Sequence, residues 1–415
     1  MRWRRRAGAF VMTGFRPADG AEAEQVVAWA AAEGEALEIV GGGSKRGLGR
    51  PVRAPHVLEL GAIAGILDYE PAELVLTARA GTTMAAIGTA LDAAGQMLAF
   101  EPPVSGALFA GAGSPTLGGV LACNLAGPRR IRAGAARDHF LGFRAVNGWG
   151  DGWKAGGRVV KNVTGYDMGK LQAGAFGTLS VLLELSLKVL PRPETSASVL
   201  LTGDDPAAAV AAMATALNSP HEVSAAAHLP AAAAARSAVG AVAGAGRGVT
   251  ALRIEGPGPS VAFRRAALAE LLGAAGSIAE AESATLWTEI AEVVPLLADA
   301  PLLWRLCPPP AAAPALLEGL HAALAGRCLL DWGGGLVWFA PDPAAAGADG
   351  GAGRVRAALA QTGGHAMLFR APEEMRAAAG VFDPLAGPLA GLTRRIKAGF
   401  DPRGILNPGR MHEGI

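Results

Sequence analysis

The run "GTLSVLLELSLKVLPRP", Gly177 to Pro193, restricts the fold more than any other stretch. Its apolar residues are nearly continuous, and Pro191 and Pro193 close it. Such a run, bounded by turn formers, reads as a long buried strand. Directly before it stands "KNVTGYDMGKLQAGAF", Lys161 to Phe176, rich in glycine and in paired polar residues. A rigid strand under a glycine loop is a way to hold a ligand-binding loop in place.

Two further glycine-rich segments belong to the same half of the chain. "IVGGGSKRG" (39–47) is a short buried strand running into three glycines, Ser44 and Lys45. Glycine lets backbone N–H groups converge on an anion, and Lys45 or Arg46 would add charge. The pattern is neither GxGxxG nor GxxxxGK[ST], so neither a Rossmann fingerprint nor a Walker loop is supported. Taken alone it is an anion-binding turn or a plain strand connection, and both stay open at this point. "GAGSPTLGGVLACNLAG" (111–127) places small residues beside Thr116 and Asn124, and loops of this kind are costly to order without a ligand.

The rest of the chain sets outer limits. Its 415 residues suggest two or three domains. Lys and Arg number 37 against 36 Asp and Glu, a balance that argues against a nucleic-acid binder. Cys123, Cys307 and Cys328 form no CxxC pair. A disulfide framework, a zinc ribbon and an iron–sulfur cluster are not expected, and a reducing compartment fits. No apolar stretch reads as a transmembrane helix. The opening "MRWRRRAGAFVM" is too short in its apolar part for a signal peptide. Residues 1–11 are expected to be a disordered or mis-assigned start, with Met12 as the alternative initiator.

Periodicity gives a helix over 21–33, a strand over 36–40, two strands within 58–79, a helix from near Thr83, and a strand from 140 leading into a hairpin turn. The composition shifts near residue 193. Beyond it, strand–helix–strand units predict antiparallel strands with helices on one face. The reading is therefore α+β: a domain over 12–193, a smaller α+β cap over 194–380, and a segment over 381–415 that returns to the first domain. Trp287, Trp304, Trp332 and Trp338 are expected in the cap core. "RRIR" (129–132) reads as a solvated basic loop, with contact to the cofactor or a partner as the alternative.

The wording "SPTLGGVLACNLAGPRR", "KNVTGYDMGKLQAGAFGTLSVLLELSLKVLPRP" and "IKAGFDPRGILNPGRM", in that order, resembles the FAD-linked oxidase superfamily of the vanillyl-alcohol oxidase (PCMH) type. Within it the second and third pieces are similar to the FAD-binding subunits of bacterial glycolate oxidases. The resemblance implies that Gly41, Gly42, Gly43, Ser44, Lys45 and Gly47 cradle the FAD diphosphate. Gly81 and Thr82 would lie beside the cofactor. Thr116, Gly118, Gly119 and Asn124 would line the ribityl and flavin path. Gly174, Gly177, Thr178 and Val181 would hold the adenine side, and Asn407 would stand near the flavin. Residues 41–48 contain no histidine for covalent attachment, so FAD is expected to be non-covalent.

Relatives that oxidise 2-hydroxy acids themselves carry an HxGDGNxH-like metal run, and "HEVSAAAH" (221–228) lacks its centre. His228 then reads as a strand residue. No metal is expected, and no catalytic base is assigned. The resemblance implies a subunit that works with a second FAD-containing, hydroxy-acid-oxidising subunit and an iron–sulfur subunit to convert glycolate to glyoxylate. It implies a cytoplasmic place, with membrane contact only through partners. The alternatives are a stand-alone FAD enzyme for another small hydroxy acid or alcohol, and a non-catalytic scaffold of the same fold.

Overall fold

The computed structural model describes residues 13–158, 165–274, 276–298 and 300–415. The expected disordered start, and the Lys161–Thr164 part of the "KNVTGYD" wording, lie outside the described residues.

The first layer is a parallel sheet in which His56–Glu59 lies between Thr13–Phe15 and Leu37–Val40. Helix Gly20–Glu33 covers it. Asp19 caps this helix by accepting from Glu22 N at 2.9 Å, and Gly34 ends it at φ 71°. The helix buries Ala23, Val27 and Ala30, the spacing of one helical face, against Leu37, Leu58, Val146, Val181 and Ile405.

The second layer is a five-stranded antiparallel sheet in the order Ile66–Glu70, Val75–Arg79, Ser180–Lys188, Phe140–Asn147, Gly152–Gly156. The long apolar run is its central strand. Val181, Leu185 and Leu187 are fully buried, which explains why its sequence is continuous rather than alternating. Past its end, Leu190–Pro191 pairs with Gln96–Met97.

The strands beyond residue 194 form one eight-stranded antiparallel sheet with an internal repeat. Thr195–Thr202, helix Pro206–Leu217, Ala225–Leu229, Val249–Gly256, helix Gly258–Leu272 and Gly276–Ala279 make a βαββαβ unit of strand order 4-1-3-2. Leu303–Cys307, helix Ala313–Ala323, Gly326–Asp331, Leu336–Pro341, helix Ala352–Thr362 and His365–Arg370 repeat it as 2-3-1-4. The two second strands meet at the pair His228 and Leu330. Trp287, Trp304, Trp332 and Trp338 are all buried, as their strand-rich context predicts.

Charged residues fasten this sheet to the first two layers. Glu101 takes a bidentate pair from Arg253 at 2.9 and 2.8 Å, and Arg129 gives one to Glu255 at 3.0 and 2.7 Å. Arg129 also reaches Glu101 at 3.1 Å. The Glu292 carboxylate accepts from Val104 N and Ser105 N at 2.8 and 2.9 Å. Burial pushes the Glu255 carboxyl up, but Arg129 and Arg253 outweigh burial and hold it down to about 2. The "RRIR" reading is corrected here. Arg129 is buried in this network and Arg130 is half-buried against Trp332, while Arg132 pairs with the exposed Glu222. Sequence shows the charges, but their carboxylate partners lie 28, 90 and 126 residues away.

His228 is a strand residue, as expected. Its Nδ1 lies 2.9 Å from Thr250 Oγ1, and burial pulls its pKa down to about 4. A depressed histidine pKa means that the unfolded chain binds the proton more readily. Stability attributable to His228 is therefore complete above pH 6.5, falls as pH drops toward 4, and loses about 3 kcal/mol in all. Glu255 adds a second loss, from its ordinary 4.5 down toward 2. Chemical denaturation at stepped pH should show the first decline in the native chain and a flattened one in His228→Leu. An unchanged decline in that variant would assign it to other groups.

Candidate cofactor site

Strand Leu37–Val40 delivers its chain into the turn Gly41–Lys45, which lies flat against the loop Gly111–Thr116. No side chain separates them. A Cβ on Gly42 would sit 1.9 Å from the Ser114 carbonyl oxygen, and one on Gly113 would sit 1.7 Å from that of Gly42. Gly43 adopts φ 82°, which only glycine takes at little cost. Thr116 Oγ1 accepts from Gly119 N at 3.4 Å and caps the helix Leu117–Ala122.

These loops, the stretch Phe176–Leu182 and the C-terminal tail line a cleft with about 690 Å³ of space free of protein atoms, part of it open to solvent. Gly41, Gly42, Gly43, Ser44, Lys45, Thr116, Gly118, Gly119, Gly177 and Asn407 line it. The other expected residues are not among its lining. A Cβ at Gly47 would meet the Phe109 carbonyl at 2.9 Å, and one at Gly81 the Leu60 carbonyl at 2.2 Å. The Thr82 hydroxyl bonds to Gly65 and Arg79. Asn124 Oδ1 accepts from Arg137 N at 3.0 Å. Gly174 makes a turn at φ 86°, Thr178 donates to Ala175 O, and Val181 is fully buried.

Arg410, Cys123 and Ser180 also line the cleft and were not anticipated. Arg410 is buried, and its Nη2 donates to Lys45 O at 2.8 Å. Lys45 is buried too, with Nζ 3.3 Å from Ser44 Oγ and 4.7 Å from the Phe109 ring centre. Burial pulls both cations' pKa values down, so their charge is poorly compensated by the protein. Arg46 differs, because Glu38 takes its Nε at 2.8 Å. Cys123 lines the same wall, its thiol pushed up by burial. Ser180 Oγ is buried in the lining with no hydrogen-bond partner among the described residues. Two under-compensated cations, a turn of small residues and an orphaned hydroxyl suit a ligand that carries anionic oxygens.

The tail forms the remaining wall. Leu37 N donates to Ile405 O at 2.8 Å, and Asn407 N to Leu37 O at 3.0 Å. Asn407 Oδ1 accepts from Ile39 N, and its Nδ2 donates to Phe176 O, both at 2.8 Å. One side chain thus ties the strand before the glycine turn to the loop before the central strand. Beneath it, buried Lys397 donates to Thr178 O, Asp401 Oδ2 and Leu406 O at 2.7, 2.6 and 2.9 Å. Ala110, Asn124, Phe176 and Asn407 all hold positive φ between 43° and 54° around this site. Non-glycine residues tolerate that conformation only where surrounding contacts impose it.

The geometry suits a ligand with anionic oxygens between two glycine loops, as a nucleotide cofactor carries. Known proteins specify the class. Residues 14–156 match the family model described as FAD binding domain, and residues 385–411 match that of FAD linked oxidases, C-terminal domain. Glycolate oxidase subunit GlcE of Escherichia coli (strain K12) is 36% identical over 380 residues, 91% of this chain and 92% of that protein. Glycolate oxidase subunit GlcD of Bacillus subtilis (strain 168) is 31% identical over 135 residues, 32% of this chain and 27% of that protein. Among solved structures, 4-ethylphenol oxidase from Gulosibacter chungangensis shares the fold with a TM-score of 0.70 at 15% identity, covering 96% of this chain and 88% of that one. The chain belongs to the FAD-linked oxidases, flavin-dependent oxidoreductases of the PCMH type, in the family that includes GlcE. Among the described residues no group of three or more His, Cys, Asp or Glu is placed to hold a metal, and no helix is long and apolar enough to cross a membrane.

Proposed function

We propose that this chain is the FAD-binding subunit of a glycolate oxidase complex, converting glycolate to glyoxylate together with a second flavoprotein subunit and an iron–sulfur subunit. The observation that carries the reading is the similarity to GlcE across more than nine-tenths of both chains, with the glycine turns and the latching tail intact. In this reading the chain divides into a domain over 12–193, a cap over 194–380 and a returning segment over 381–415. A cytoplasmic place fits the three free cysteines.

Bound FAD would supply two-electron acceptance from the substrate and one-electron release onward. The chain's own residues supply its setting. The backbone of Gly41–Lys45, with the Lys45 and Arg410 charges, would hold the diphosphate. Ser180 Oγ would find its missing partner in the cofactor. Asn407, Phe176 and Ile39 fix the wall, and Gly177 leaves it clear. The loop 41–48 offers no histidine, so the cofactor is held without a covalent bond. The electron path then runs through partners, since the three cysteines form no cluster motif.

The test is reconstitution. Glycolate-dependent reduction of an artificial acceptor should require this chain together with both partner subunits. Full turnover without it would remove it from the complex, and turnover by this chain alone would favour the stand-alone enzyme.

A further inference from the structure

A second charged cluster lies outside the cofactor cavity, between the helix Arg130–Ala133 and the eight-stranded sheet. Strand Leu303–Cys307 buries Trp304 and Leu306 fully on one face, and carries half-buried Arg305 and Cys307 on the other. The turn after Asp331 holds Trp332 at φ 54°, an unusual conformation for a bulky residue. Its Nε1 donates to Gly127 O at 3.0 Å, which fixes the indole in the layer between the sheet and the glycine-loop domain. Two guanidinium groups lie over that ring, Arg130 at 4.1 Å and Arg305 at 5.1 Å from its centre.

Neither guanidinium makes a hydrogen bond or an ion pair with a described residue. Every neighbouring arginine of the interface does: Arg129 and Arg253 are both held by carboxylates. The carboxylates within electrostatic reach are engaged elsewhere, and the one other acid there among the described residues is the Cys307 thiol, which burial pushes up and both arginines pull down. Asp138 accepts from Ala135 N at 2.8 Å, and Asp331 from Trp332 N at 2.7 Å. Burial lowers the Arg130 pKa, and the charge of Arg305 lowers it further. The indole offsets part of this repulsion. It supplies no hydrogen-bond acceptors for the two guanidinium forks, whose geometry matches a carboxylate.

We propose that Arg130 and Arg305, gathered over Trp332, form a binding site for a small carboxylate anion between the eight-stranded sheet and the FAD-binding layers. The anion site rests on this geometry; its assignment to a monocarboxylate such as glycolate rests on the functional reading above.

Calorimetric titration of the FAD-loaded full chain with glycolate, and separately with inorganic phosphate, tests it. Glycolate should bind saturably and more tightly than phosphate. Arg130→Gln and Arg305→Gln should each weaken it by at least about tenfold, the worth of a lost charged hydrogen bond. Arg305→Lys keeps the charge without the fork and should fall between. Flavin content and the thermal midpoint report folding, and Arg305→Gln alone decides if Arg130→Gln does not fold. Unchanged affinity in a folded Arg305→Gln, no saturable glycolate binding, or tighter binding of phosphate would overturn the site. The functional reading fails separately: glycolate binding at the arginine pair without any contribution to turnover of the reconstituted complex would leave the site standing and remove the glycolate oxidase role.

Discussion

Gly113→Ala is expected to abolish stable flavin retention while leaving the eight-stranded sheet intact. The added methyl would stand 1.7 Å from the Gly42 carbonyl oxygen and 2.7 Å from its carbon, both backbone atoms that cannot rotate away. The two loops must then separate at the point where the Gly41–Lys45 turn is shaped. Overpacking of this kind costs roughly 3 kcal/mol, which corresponds to an FAD affinity weaker by roughly a hundredfold. Flavin content after gel filtration, with the FAD dissociation constant from fluorescence quenching, measures it. Gly157→Ala serves as the control, because a Cβ there meets nothing within 4 Å. Retention of FAD by Gly113→Ala at native affinity would mean that the contact between the loops does not shape the site.

The second large effect is expected at Lys397, which no ligand need touch. Lys397→Met removes the donor shared by Thr178 O, Leu406 O and Asp401 Oδ2, and leaves the Asp401 carboxylate buried. Breaking a buried pair in this way costs about 3–5 kcal/mol and lowers the thermal midpoint by roughly 10 °C. Asp401 keeps two backbone donors, Ile405 N and Leu406 N at 3.0 and 2.8 Å, so the tail should loosen rather than the whole chain unfold. Asp401→Asn in the same chain should recover part of the loss, because it removes the stranded charge. Differential scanning fluorimetry of the native chain and the two variants reads both effects. An unshifted midpoint in Lys397→Met would show that the Asn407 latch holds the tail without its support.

Much of the cofactor site was legible because glycine marks close backbone approach. The turn at 41–45, the loop at 111–119 and the central strand were each visible in one local stretch. Asn407 came from the wording of the tail, and the structure gives it a reason as a latch between Ile39 N and Phe176 O. The strand repeat beyond residue 194 was legible only as alternating elements. Its 4-1-3-2 and 2-3-1-4 orders depend on pairings far apart in sequence.

The buried charges were not legible. Lys397 and Asp401 are four residues apart at the end of the helix Gly387–Phe400, a spacing common to surface pairs, and nothing local marks them as buried. Arg129 read as solvated because Glu101 and Glu255 arrive from other parts of the chain. Arg410 and Ser180 are single polar residues inside stretches whose apolar and turn residues dominate the pattern. Their roles appear only once the tail closes over the glycine turn.

The central claim is that this chain holds FAD non-covalently in the Gly41–Lys45 cavity and turns glycolate over only in company. The most direct measurement is the visible spectrum of the purified chain, before and after anaerobic glycolate and again after its partners are added, followed by acid precipitation. The account predicts a flavin band that acid releases into the supernatant, that glycolate alone leaves oxidised, and that bleaches once the partner subunits are present. A chain that takes up no flavin even from added FAD, or a band that glycolate bleaches in the isolated chain, would contradict it.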